Sequence, residues 1–184
     1  VIFVIAGTNA GRGLPPGARI GAPADSINGL VVNGVNTRGE PASYHRVGPV
    51  LSFYHKPDVS YYGGDSDRWM RVCEPLGEAR VSGTSFAAPW VARKLAYLIH
   101  VMGFSREVAK ALIIDSAADW HRRDDDSHAV GYGVVPVRIE DVLECADDEI
   151  RFIVSGQTAA SETYAYDLPV PVGEGKHPFT ARAT

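Results

Sequence analysis

The residues of this sequence best suited to covalent chemistry lie in Gly83-Thr84-Ser85-Phe86-Ala87-Ala88-Pro89, where a serine follows two small residues and precedes an apolar stretch of helical period. A serine hydroxyl becomes a useful nucleophile when a base takes its proton and donors stabilise the developing oxyanion. A helix start favours negative charge at that point. Gly83 permits a tight turn, and Ala87 and Ala88 leave the backbone close to whatever docks there. The competing reading is that Thr84 or Ser85 only caps a helix N-terminus. A second polar group, His121, Asp124, Asp125, Asp126 and His128, has cation-binding residue types. Its spacing fails the EF-hand loop, because Ala129 stands where a glycine is required. The string from 121 to 128 therefore reads as a solvated charged loop, with no metal expected. Gly11 and Gly13 form only a GxG, too little for a phosphate loop, and no cofactor is expected.

Several elements must position Ser85. Ala87, Val91, Leu95, Leu98 and Met102 follow three- and four-residue steps, which predicts a buried helix from Phe86 with Pro89 in its first turn and Gly103 as its stop. A second helix is expected from Ser105 as N-cap to about Ala118, with Val108, Leu112 and Asp115 on one face and Ile113 beside it. A third spans about Ile139 to Cys145. Val1 to Ala6 reads as a central parallel strand running into the turn-rich segment Gly7 to Gly17, so a site belongs at that strand's end. Leu30 to Val35 and Val50 to Tyr54 read as further strands, and Val81 as the centre of a short one. The expected class is α/β, with a mostly parallel sheet between helix layers. After residue 148 the composition turns to β-forming residues, at Arg151 to Ser155 and Thr163 to Val172. Residues 1–148 are therefore expected to form one unit, and 149–184 the beginning of a β-rich accessory region.

A chain of 184 residues with 45% hydrophobic content can bury one sizeable core. The net charge of −4, with Lys and Arg scattered, gives no footprint for nucleic acid. Leu95 to Phe104 is about half the length needed to cross a bilayer, so no membrane partner is expected. Cys73 and Cys145 form no CxxC pair; a disulfide and two free thiols are both open, and the compartment is left unassigned.

GTSFAAP closely resembles the active-serine signature of the subtilisin-like serine peptidases, with Phe86 where methionine is often found. Ala6-Gly7-Thr8-Asn9-Ala10-Gly11 resembles the AGNxG string of the same family, placing Asn9 at the asparagine that donates to the oxyanion. Thr8 departs from that string, either replacing its glycine or inserted after Gly7. Bottom-up, Asn9 could instead be a turn residue satisfying its own loop. Further similar strings follow in family order: 22–36, 43–49, the KPDV at 56–59 and the GYGVV at 131–135. The resemblance covers roughly residues 1–146. It implies a three-layer α/β/α domain, a polypeptide substrate, Ser85 as nucleophile, and Asn9 with the Ser85 amide as oxyanion donors. It further implies that Ala6, Gly7 and Thr84 contribute to substrate binding.

The family completes its triad with an aspartate and a histidine that come before the serine. No DSG-like or HGT-like string occurs, and none of the six histidines is followed by glycine. The apolar start VIFVI, without methionine or polar lead-in, suggests numbering that begins inside a strand. The aspartate and histidine are therefore expected in an upstream part of the same catalytic domain, and this piece alone is expected to be inactive. Two rivals stand beside this reading. GTSFA comes within one residue of the GxSxG elbow of α/β-hydrolases, where Asp119 or Asp124 with His121 or His128 would complete a triad. The other rival is a subtilisin-like scaffold or binding module that has lost its triad.

Overall fold

The computed structural model describes residues 1–11, 14–15, 17–48, 54–118, 127–145, 147, 149–167 and 184. Three short runs of β-forming residues pair in parallel: β1 (Val4–Ala6), β2 (Leu30–Val35) and β3 (Val59–Tyr62), in the order β1-β2-β3. Val4 lies opposite Leu30, and Val32 opposite Val59. Parallel neighbours require a long return of the chain between strands. The segments that follow Ala6, Val35 and Tyr62 therefore emerge at one edge of the sheet, where the site lies.

Alternation along the strands divides the core. Val4 and Ala6 of β1, Leu30 and Val32 of β2, and Val59 and Tyr61 of β3 face α1 (Thr84–His100), meeting Ala87, Val91, Leu95 and Leu98. Behind α1, α2 (Arg106–Ala117) contributes Ala109, Leu112 and Ile113. On the opposite face Ile5 and Val31 pack with Ile20 and Ala24. There Asn33 Nδ2 donates to the Ala129 carbonyl at 2.6 Å, and Ser60 Oγ to the Val130 carbonyl at 3.1 Å, both in the single-turn α3 (Ser127–Val130). The sheet thus lies between two layers, as expected of an α/β domain. An antiparallel hairpin of β4 (Met70–Glu74) and β5 (Gly77–Val81) leads into α1, and α4 (Glu140–Leu143) packs on α2. No described helix is long and apolar enough to cross a membrane.

Several expectations are corrected. β1 is an edge of the described sheet rather than its centre, and Val1 and Phe3 are exposed because no described strand pairs on that side. β3 was not legible, since Ser60 and two tyrosines break its apolar run. Val81 ends β5 instead of centring a strand. Helix α1 begins at Thr84, so Pro89 lies past its first turn, while Met102 falls beyond its end and is exposed. Ser105 caps α2 as expected, accepting from the Val108 amide at 3.2 Å. Ser127 and His128 belong to α3 instead of a solvated loop; residues 119–126 lie outside the described residues. The Arg151–Ser155 run forms no strand, nor does 163–167. These stretches are mostly exposed and find no pairing edge; Arg151 is tied instead to Asp115 at 3.1 Å and to the Val142 carbonyl at 2.8 Å. Residues 50–53 and 168–172 lie outside the described residues. Cys73 and Cys145 are free and exposed.

The segment leading into β3 is held by a buried charge. Lys56 is 1% exposed, and its Nζ donates to Asp58 Oδ2 at 2.6 Å and to the Gly29 carbonyl at 3.0 Å. Asp58 Oδ2 also accepts from the Val31 amide at 2.7 Å, tying the pair to β2. Removing one partner of such a pair strands the other charge. Just after β1, Thr8 adopts φ 65°, in the left-handed region that β-branched residues avoid. The ladder runs unbroken beside it, with Ala6 opposite Val32 and the Gly7 amide donating to the Val32 carbonyl at 2.8 Å. Thr8 therefore holds a backbone conformation that a glycine would take at no steric cost.

Lys56→Ala should lower unfolding stability by about 3–5 kcal/mol; a urea titration showing less than about 1 kcal/mol would remove the pair as an anchor. Thr8→Gly should raise stability by about 0.5–1 kcal/mol, relief of strain exceeding glycine's entropy cost. A lower denaturation midpoint in that variant would mean that the 2.6 Å bond from Thr8 Oγ1 to the Gly7 carbonyl outweighs the strain.

Candidate active site

The turn into α1 explains its own sequence. Gly83 takes φ 148°, a conformation open essentially to glycine, and a Cβ there would sit 3.1 Å from Asn9 Nδ2. Its amide donates to the Gly63 carbonyl at 3.0 Å, fixing the turn to the end of β3. Gly83 is also the N-cap, and it has no side chain with which to cap the helix. The capping reading of Thr84 and Ser85 is thereby overturned.

The helix N-terminus is satisfied from across the sheet. Thr84, fully buried, donates from both its amide and its Oγ1 to Asn9 Oδ1, each at 3.0 Å. The Phe86 amide donates to the Gly83 carbonyl at 3.0 Å. These bonds leave two donors with no partner among the described residues: the Ser85 amide and Asn9 Nδ2. Ser85 is exposed, and its hydroxyl makes no hydrogen bond with a described residue. The α1 macrodipole places partial positive charge at the same point, and no acidic residue in the first turn cancels it. Together these groups can present a hydroxyl and two N–H donors to a carbonyl carbon and its oxygen.

Asn9 is not a turn residue satisfying its own loop. Its carbonyl accepts from Arg46 Nε at 3.0 Å, and the next amide, Ala10, donates to the Tyr44 carbonyl at 2.7 Å. Tyr44 lies in a slot made by glycines: a Cβ on Gly34 or on Gly63 would come within 2.4 Å of its Oη. Burial foremost, then the Asp65 charge, pushes the Tyr44 phenol well above its ordinary range. Ser43 donates to Asp65 from its amide and its hydroxyl, each at 2.6 Å.

The structure thus brings Asn9, Thr84 and Ser85 together. Of the other two expected site residues, Ala6 is half-buried with its side chain packed on the core under α1. Gly7 is buried over β2, where a Cβ would lie 3.2 Å from Asn33 Oδ1. Thr84 acts on Asn9, its hydroxyl being already donated. Sequence reasoning missed Ser43, Tyr44, Arg46, Gly63 and Asp65; the Gly63-Gly64-Asp65 cluster was the available signal. His128 lies in α3, on the sheet face opposite α1, stacked on His55 with ring centroids 5.6 Å apart. His45 Nδ1 is 2.8 Å from the Ala42 carbonyl. No described histidine hydrogen-bonds Ser85. Among the described residues no group of three or more His, Cys, Asp or Glu could hold a metal; His121 and Asp124 to Asp126 lie outside them.

No curated protein sequence matches the chain. Among solved structures, the prenylagaramide maturation protease PagA is 26% identical with a TM-score of 0.58, over 78% of this chain and 50% of its own. The epidermin leader peptide processing serine protease EpiP from Staphylococcus aureus, in a mutant form, is 15% identical with a TM-score of 0.62, over 79% of this chain and 40% of its own. The second likeness bears on the fold alone. The chain therefore spans half or less of the length of the solved relatives it matches. The sequence model of the subtilase family matches residues 1–133, from just ahead of β1 to the glycine whose carbonyl accepts from Ser60 of β3, and the chain belongs to that family of serine peptidases.

Proposed function

We propose that this chain supplies the nucleophile and the oxyanion donors of a serine endopeptidase acting on a polypeptide. The observation that carries the reading is the coupling of Asn9 to the start of α1: Oδ1 is spent on Thr84, which leaves Nδ2 beside the Gly83–Ser85 turn. Ser85 Oγ attacks the scissile carbonyl carbon while a base takes its proton. The oxygen that becomes negative accepts from the Ser85 amide and Asn9 Nδ2. The base returns the proton to the leaving amine, and water then hydrolyses the acyl-enzyme by the same route in reverse roles. Ala6 and Gly7 are read as bordering the substrate through their backbone, and Thr84, buried and bound to Asn9, as orienting the donor.

On this reading the base and its aspartate come from an upstream part of the catalytic domain, in keeping with the half-length coverage of PagA. His128 fits poorly, because α3 packs on the sheet face away from Ser85; His121 lies outside the described residues. Residues 149–184 are read as the start of an accessory region, tied to the domain through Arg151.

The isolated 184-residue chain should not be labelled by a fluorophosphonate probe above the level of Ser85→Ala. Labelling at a normal protease rate would show that the base lies within it. Joined to its upstream portion, the protein should label and cleave peptides, and Ser85→Ala should abolish both. Asn9→Ala should then lower turnover by about 10²–10³-fold, the size seen when subtilisin itself loses its oxyanion asparagine. A joined protein that neither labels nor cleaves would make this domain a scaffold.

A further inference from the structure

Asp65 is buried, 7% exposed, and no ion pair answers its charge among the described residues. Its carboxylate is held by donors: the Ser43 amide and hydroxyl at 2.6 Å each, and the Ser66 amide at 2.7 Å. An unpaired buried carboxylate is costly unless its lone pairs are filled in this way. The cost falls at a corner from which both halves of the site hang. Gly63, two residues earlier, accepts from the Gly83 amide at 3.0 Å and so holds the turn that carries Ser85. Ser43, which Asp65 grips, begins the stretch whose Tyr44 carbonyl accepts from Ala10 at 2.7 Å and whose Arg46 donates to the Asn9 carbonyl at 3.0 Å.

We propose that Asp65 is a positioning residue for the oxyanion donor: by fixing Ser43 it holds the 44–46 stretch, and through it the Asn9 amide, in register with the Gly83–Ser85 turn. The proposal rests on Asn9 being that donor. Tyr44 makes the coupling stiff, because its ring fills the slot between Gly34 and Gly63 and leaves the 43–46 stretch no room to slide. The titratable groups facing the Asp65 carboxylate are Tyr44, Tyr62 and Asp67, while Arg68 meets residue 65 through backbone hydrogen bonds at 2.9 and 3.1 Å. Burial pushes its carboxyl up, but the Ser43 and Ser66 donors outweigh that and hold it below the ordinary aspartate range. The tie is therefore complete above the ordinary aspartate range and is lost only as pH falls through the lowered value.

Amide hydrogen exchange on the folded 184-residue chain tests this without requiring cleavage. In Ser43→Ala and Asp65→Ala, exchange at Ala10 and Thr84 should quicken by about 10- to 100-fold, while core amides such as Val32 stay within about twofold. The Asn9 side-chain amide resonances should shift in both variants. Asp65→Asn, which keeps an acceptor oxygen, should recover part of the protection and serves if Asp65→Ala does not fold. Unchanged Ala10 and Thr84 exchange in a folded variant would overturn the proposal. So would acceleration spread evenly over the core, which would make Asp65 a general stabiliser. Normal exchange with successful probe labelling of the joined protein would sink the role of Asp65 alone; altered exchange with no labelling would sink the peptidase reading alone.

Discussion

The parallel pairing of β1, β2 and β3 is the constraint on which the rest of the structure depends. Strands that run the same way end on the same side, so three loops far apart in sequence are delivered to one edge. Asn9 follows the first strand, Tyr44 and Arg46 lie on the return from the second, and Gly63 to Asp65 follow the third. None of these residues is near Ser85 in the chain. The hairpin after β3 then brings α1 back over the same edge, and an amide from residue 9 meets the N-terminus of a helix beginning at residue 84. A one-residue slip of β1 against β2 would turn Ile5 toward α1 and carry the Asn9 loop off its partner.

Two buried carboxylates fix the two ends of β3 in different ways. Asp58 is answered by the Lys56 ammonium and ties the entrance of β3 to β2. Asp65 is answered by N–H and O–H donors and ties the exit of β3 to the returning chain. The first arrangement carries a full charge pair, whose breakage strands an ion. The second distributes one charge over several neutral donors, which fixes direction more tightly than a single cation would.

Much of the helical layer was legible in the sequence, because Ala87, Val91, Leu95 and Leu98 keep a 3.6-residue period and Ser105 is a capping residue in the expected place. Leu30 to Val35 was legible as a short apolar run in spite of Asn33 and Gly34. β3 was not, since Ser60 is buried by donating to a carbonyl of α3, a compensation that only the tertiary structure supplies. Val1 and Phe3, ahead of β1, and the unpaired stretch after residue 148 failed for the opposite reason: their composition suits a sheet, but no further strand among the described residues covers them. Ser85 and Asn9 stood out through local strings. Their supports did not, because Ser43, Arg46 and Asp65 act through a carbonyl, an amide and a hydroxyl whose partners lie more than twenty residues away.

Pro89 lies inside α1 and has no N–H to give. In an α-helix that N–H would be received by the carbonyl four residues back, which here belongs to Ser85. The helix thus omits that rung of its ladder, one turn on from Ser85. The start of α1 is therefore tied down by bonds from outside its own ladder, through the Gly83 amide and the Thr84 amide and hydroxyl, in the same turn where the ladder is one rung short.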